Sequence, residues 1–131
     1  MAAQQRPLSP HLQIYKWQIT MSLSIVHRAT GVFIAFGAFA LVFWLSAIAG
    51  DAGDYQQFQA LASSIPGKLL LVTMLGSFLY HLLNGIRHLL WDVGWGLDLV
   101  RVYATGWTVV ALSLAGTAAL AWLVFGAGAA A

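Results

Sequence analysis

The stretch ATGVFIAFGAFALVFWLSAIA, residues 29–49, decides the fold: it is apolar from end to end apart from small interruptions such as Gly31, Gly37 and Ser46. A helix needs roughly 20 mostly apolar residues to cross about 30 Å of hydrocarbon, and this run supplies them. Lipid is the solvent for such a surface, so the chain reads as an integral membrane protein. Working outward, a helical pattern already starts near Gln18, and a first span is expected over residues 18–49. Ahead of it, residues 1–17 contain Pro7, Pro10, His11 and other polar groups. Proline lacks the amide proton a helix interior needs, so this segment is expected to be an irregular arm at the cytoplasmic membrane surface, with His11 solvated. It lacks the basic stretch followed by an apolar core that marks a cleaved signal peptide.

On the other side, Gly50-Asp51-Ala52-Gly53-Asp54 joins backbone freedom to charge and marks a turn outside the bilayer. Tyr55, Phe58, Leu61 and Ile65 then recur near helical spacing, which suggests a short amphipathic helix in the interface within an outer loop over residues 50–67. Pro66 and Gly67 separate it from a second span, residues 68–91, apolar from Leu69 to Trp91; proline just ahead of a helix costs little because the first amides are unpaired anyway. A cytoplasmic loop over residues 92–103 carries Asp92, Asp98 and Arg101, and a third span is expected over residues 104–126. Its Ala111, Ala115, Ala118 and Ala119 fall at three- and four-residue steps that allow close approach of another helix. The expected fold is all-α, a single membrane-anchor domain over residues 1–131 with three transmembrane helices.

Composition agrees and excludes several functions. The 131 residues are 60% hydrophobic and 8% charged, with a mean hydropathy of +0.80, against about 25% charged in soluble domains. Three spans with short connections use nearly the whole length, leaving no room for a soluble enzyme domain. Six basic and four acidic residues are too sparse for a nucleic-acid footprint. The chain has no cysteine, hence no disulfide, cysteine-ligated zinc or cysteine-ligated iron–sulfur cluster, which leaves the histidines as candidate metal ligands. Cytoplasmic loops are enriched in Lys and Arg. Three spans put Arg6, Lys16, Arg28, Arg87 and Arg101 on one side and Lys68 on the other, so the N-terminus is expected in the cytoplasm and the C-terminus outside.

The second span carries Ser77, Tyr80, His81, Asn84, Gly85 and His88, which fall within about 140° of one another on a helix. Ionisable groups at membrane depth are costly and face the bundle interior. His81 lies about 18 Å along the helix from Leu69 at 1.5 Å per residue, inside the hydrocarbon. Imidazole is the commonest metal-binding side chain, and haem iron in a membrane bundle is typically held by histidines of facing helices. Gly85, one turn away, leaves space for a flat macrocycle. Polar residues also serve as interhelical glue, and spacing alone leaves both readings open. His88, beside Arg87 and near Asp92, reads as structural or propionate-facing.

At the start of the first span Trp17, Met21, Ser24, Ile25 and Arg28 share a face of about 100° if the stretch is helical. Apolar walls with two donors suit an amphipathic ring bearing carbonyl oxygens: Ser24 donates one hydrogen bond, and Arg28 offers charge-assisted ones that strengthen as reduction places negative charge on oxygen. The competing reading makes Arg28 an interfacial anchor reaching for lipid phosphates. His27 points about 100° away from Arg28, so the pair can serve two groups at once.

Two stretches carry a family resemblance. Arg6-Pro7-Leu8-Ser9-Pro10-His11-Leu12, leading into Ser24-Ile25-Val26-His27-Arg28-Ala29-Thr30-Gly31, is the first; His81-Leu82-Leu83-Asn84-Gly85-Ile86-Arg87-His88-Leu89-Leu90-Trp91-Asp92 is the second. Over residues 6–98 the chain resembles the cytochrome b membrane-anchor subunit of succinate dehydrogenase, respiratory complex II of the tricarboxylic acid cycle. The resemblance implies that His81 is an axial ligand of haem b, shared with a second small membrane-anchor subunit that supplies the other axial histidine. It implies ubiquinone binding by Ser24 and Arg28, with Trp17, Met21 and Ile25 lining the pocket, and places His27, Arg28, Gly85 and His88 near the haem and its propionates. It further implies a flavoprotein subunit that oxidises succinate, an iron–sulfur subunit that carries the electrons, no dehydrogenase activity in this chain alone, and a bacterial cytoplasmic membrane or mitochondrial inner membrane as its site. Two rival readings are a haem-free, quinone-binding anchor of a fumarate reductase type and a non-redox three-helix membrane component; the intact His81 and Gly85 favour a haem.

Overall fold

The computed structural model describes residues 16–126, so the expectations for the Arg6–Leu12 motif and for His11 lie outside the described residues. Four α-helices follow in order: α1 (Ile19–Ala49), α2 (Ala52–Ser63), α3 (Ile65–Asp92) and α4 (Leu99–Ala121), the last running into a π-helical stretch, Trp122–Gly126. Among the described residues there is no strand. Three of the helices are long and apolar enough to cross a membrane, spanning 31, 28 and 28 residues with the π-helical stretch counted in the last. At 1.5 Å per residue, 28 residues reach about 42 Å, so each span exceeds the hydrocarbon and its ends extend into the interfaces. The expected all-α membrane fold is what is found.

Local chemistry explains the boundaries. The Asp51 side chain accepts the Asp54 amide at 2.9 Å while Asp54 accepts the Asp51 amide at 3.4 Å, a reciprocal cap that starts α2 inside the stretch expected as the outer loop. Ser64 ends α2 and caps α3 through the Gly67 amide at 3.2 Å, with Pro66 in the first turn, so Ile65 belongs to α3. The third span starts earlier than expected, at Leu99. Asp98 accepts the Arg101 amide at 2.9 Å and pairs with its guanidinium at 3.2 Å, so polar residues that read as loop form the capped first turn. Between α3 and α4 the chain reverses through Gly94 and Gly96, both at positive φ, 81° and 77°, which side-chain-bearing residues rarely adopt.

The core is thin. Leu23 of α1, Tyr80 of α3 and Val109 of α4 are its buried apolar members, with Ile19, Leu83 and Val110 packed around them. The Tyr80 hydroxyl donates to the Leu23 carbonyl at 2.8 Å, tying α3 to α1 where no water competes. Elsewhere large apolar side chains face outward, Phe39 and Phe43 at 72% exposure, as a lipid-solvated or partner-covered surface requires. Helix hydroxyls are satisfied locally: Thr73, Thr108 and Thr117 each donate to the carbonyl four residues back, which suits a medium without water. The alanines Ala111, Ala115, Ala118 and Ala119 are exposed; α4 packs inward instead through Gly106, Val109 and Ser113, so the small-residue face is turned away from α1 and α3.

Candidate functional site

The stripe on α3 divides when the helices pack. Tyr80 and Asn84 are buried, Ser77 faces a groove between α1, α3 and α4, and His81 and His88 turn towards His27 of α1. The His27 and His81 rings stack with centroids 3.9 Å apart and planes 10° from parallel, and His88 lies 5.1 Å from His27, tilted by 51°. Asn84 Nδ2 is 3.4 Å from His88 Nε2. In the antiparallel packing of α1 on α3, Gly31 faces His81 and Gly85 faces His27, which brings the two rings between the helices.

His81 Nδ1 lies 3.1 Å from the His27 carbonyl oxygen and 3.3 Å from Thr30 Oγ1. A carbonyl only accepts, so a neutral His81 ring in this position carries its proton on Nδ1 and keeps the lone pair on Nε2. A metal-bound histidine typically donates its other ring N–H to a carbonyl or carboxylate, which fixes tautomer and ring orientation. His27 Nδ1 is buried and without a hydrogen-bond partner among the described residues, a polar atom left for a group from outside the chain. No group of three or more histidine or acidic side chains among the described residues is arranged to hold a metal ion. One imidazole whose other nitrogen is held by a carbonyl would fit a cofactor that asks the chain for a single histidine ligand.

A Cβ on Gly85 would meet only His27 Cε1, at 3.9 Å, so Gly85 borders open space; a Cβ on Gly31 would lie 2.9 Å from His81 Cε1. Gly31, not Gly85, is the glycine that His81 needs for close packing. Thr30 and Gly31 were present in the motif but carried no role; the signal was a small residue one turn after His27 on the helix facing His81.

Arg87, counted in the sequence only among the basic residues of the N-terminal side, packs between helices near the end of α3. It is buried at 4% exposure, donating from Nη2 to the Val102 carbonyl at 2.9 Å and from Nε to Thr105 Oγ1 at 3.0 Å. Its guanidinium carbon lies 3.9 Å from the centroid of the Trp91 ring. It clamps α3 onto α4.

The residues expected to hold a quinone sit on the outer side of α1. Met21 and Ser24 are half-buried, Arg28 is exposed, and Ile25 and Trp17 are 53% and 63% exposed. Trp17 precedes the helix, which begins at Ile19, and its indole donates to Ser22 Oγ, so helical periodicity does not govern its direction. A groove of about 780 Å³ lies on the opposite side of α1, lined by Ile19, Leu23, Val26, Thr30, Tyr80 and Val110 among others. It includes none of Trp17, Met21, Ser24, Ile25 and Arg28.

Fold and site thus define a three-span, all-helical membrane protein with a histidine cluster, at one end of its bundle, that fits axial ligation of a cofactor. Over residues 2–120 the chain matches the family of succinate dehydrogenase/fumarate reductase transmembrane subunits, and it belongs to that family. It is a membrane subunit of such an enzyme, not its catalytic head. It is 49% identical over 110 residues to the succinate dehydrogenase cytochrome b556 subunit of Rickettsia prowazekii, covering 84% of this chain and 86% of that one. The mitochondrial cytochrome b560 subunits are also similar: that of Mus musculus at 40% identity, covering 90% of this chain and 71% of that one, and that of Homo sapiens at 39%, covering 88% and 70%.

Proposed function

We propose that this chain is the cytochrome b membrane-anchor subunit of a succinate:ubiquinone oxidoreductase, with His81 as an axial ligand of haem b and Ser24 and Arg28 as the donors that orient ubiquinone. The observation that carries the reading is the His81 Nδ1 contact with the His27 carbonyl at 3.1 Å, which leaves Nε2 as the free donor at membrane depth. The second axial histidine comes from the other small membrane-anchor subunit, and the His27 and His88 rings, with Arg28, face the propionate side. When bound, the haem supplies a one-electron carrier between the iron–sulfur subunit and the quinone site.

The chain's own work is binding and orientation. Ser24 and Arg28, one turn apart on α1, donate to a quinone carbonyl, and the guanidinium charge favours the oxygen as it becomes negative. Met21, Ile25 and Trp17 form one apolar wall. Because Ile25 and Trp17 are more than half exposed, the remaining walls come from partner subunits, and so do most groups that deliver protons. The flavoprotein and iron–sulfur subunits dock on the side of the N-terminus, which lies in the cytoplasm of a bacterium or the mitochondrial matrix.

The test is a reduced-minus-oxidised spectrum of the purified complex with His81→Leu and His88→Leu. His81→Leu is expected to abolish or alter the low-spin b-type band, and His88→Leu to disturb it less. An unchanged band in assembled His81→Leu complex rules out His81 as the ligand, whereas a parent complex without any b-type band makes the haem-free anchor the better reading.

A further inference from the structure

We propose that the Thr30–Gly31 step of α1 is the seat of the His81 imidazole, setting both which ring nitrogen carries the proton and the plane in which the ring lies. This rests on the reading of His81 as an axial ligand and extends it to residues with no assigned role.

The tautomer follows from hydrogen-bond bookkeeping. Thr30 Oγ1 is 2.8 Å from the Val26 carbonyl and 2.9 Å from the His27 carbonyl. Its one hydroxyl proton is committed to those acceptors, so towards His81 Nδ1, 3.3 Å away, it presents a lone pair. Nδ1 therefore faces two acceptors, this hydroxyl and the His27 carbonyl at 3.1 Å, and a bare Nδ1 would set lone pair against lone pair. Both force the Nδ1–H form. An N–H shared with such acceptors raises the basicity of the ligating nitrogen, which favours the more highly charged, oxidised iron.

The ring plane follows from the walls. On one face the His27 ring is stacked at 3.9 Å, already at van der Waals contact. At the ring edge stands the bare Cα of Gly31, where an added Cβ would lie 2.9 Å from Cε1, 3.5 Å from Nδ1 and 3.8 Å from Nε2. An imidazole is rigid, and tilting it away meets His27. A methyl at position 31 thus has to turn the ring or part α1 from α3. Gly76, also on α3, differs: a Cβ there meets Thr117 at 3.4 and 3.5 Å, an ordinary contact.

The experiment uses the whole complex with Gly31→Ala, Thr30→Val, Thr30→Ser and Gly76→Ala. It measures haem content after washing, the low-spin ferric electron paramagnetic resonance signal, which responds to axial ring orientation, and the haem midpoint potential. Gly31→Ala is expected to shift the resonance signal and weaken haem retention about tenfold to a hundredfold, the range for disturbed outer-shell partners of a metal ligand, while Gly76→Ala matches the parent. Thr30→Val is expected to raise the midpoint potential and Thr30→Ser to restore it. Nitrogen-15 resonances of labelled histidine, assigned by their loss in His81→Leu, are expected to report Nδ1–H at His81. Parent-like signal, retention and potential in assembled Gly31→Ala and Thr30→Val overturn the seat, as does an Nε2–H tautomer. Should Gly31→Ala fail to assemble, the Thr30 pair and the tautomer decide. A parent-like b-type spectrum in His81→Leu instead overturns the ligand reading, while the tautomer measurement still judges the seat.

Discussion

The guanidinium of Arg87 donates to the Thr105 hydroxyl at 3.0 Å, joining the end of α3 to the start of α4 with a charge that pairs with no carboxylate among the described residues. The Val102 carbonyl, Asn84 Oδ1 at 3.4 Å and the face of Trp91 complete its surroundings. Buried charge is tolerated where donors are satisfied and stacked, and here a planar fork meets that need.

Replacing Arg87 with Met is therefore expected to destabilise the assembled subunit by about 1 to 3 kcal/mol, the cost of leaving buried acceptors without a donor. Arg87→Lys keeps the charge but loses the fork and the stacking, so it recovers less than half of the loss. Unfolding of the complex in detergent measures both; equal stability of Arg87→Lys and the parent contradicts the clamp.

Tyr80→Phe removes the bond to the Leu23 carbonyl and nothing else of the core. A loss of about 0.5 to 1.5 kcal/mol is expected, read as earlier detergent-induced dissociation, with the haem spectrum kept. A change of spectrum without loss of stability would place Tyr80 in the haem environment.

If Ser24 and Arg28 orient the quinone as proposed, Ser24→Ala removes a donor to its carbonyl and Arg28→Lys removes the planar fork, each worth about 1 to 3 kcal/mol, or about fivefold to a hundredfold in quinone turnover. Succinate oxidation with an artificial acceptor upstream is expected to survive. The measurement is the ratio of the two activities, and parent-like ratios in both variants make these residues anchors and helix glue.

Reporter fusions are expected to place the N-terminus in the cytoplasm and the C-terminus outside. The charge argument sets Arg6, Lys16, Arg28, Arg87 and Arg101 against Lys68, an asymmetry in the right sense. A cytoplasmic C-terminal reporter in an active complex is incompatible with three spans.

The spans, their number, the all-α class and the family motifs were legible in the sequence by itself. Crossing hydrocarbon is a one-dimensional requirement, a run of apolar residues as long as the bilayer is thick, and composition meets or fails it position by position. His81 stood out for the same reason, as an ionisable group at a depth that lipid penalises. What only the tertiary structure decided is the rotation of each helix about its axis. Apolar faces are equally soluble in lipid, so no hydrophobic force tells a membrane helix which face to turn inward; packing and interhelical hydrogen bonds do. That is why Arg87 turns onto α4, why the alanine stripe of α4 points outward, and why His81 leans on Gly31 and the His27 carbonyl.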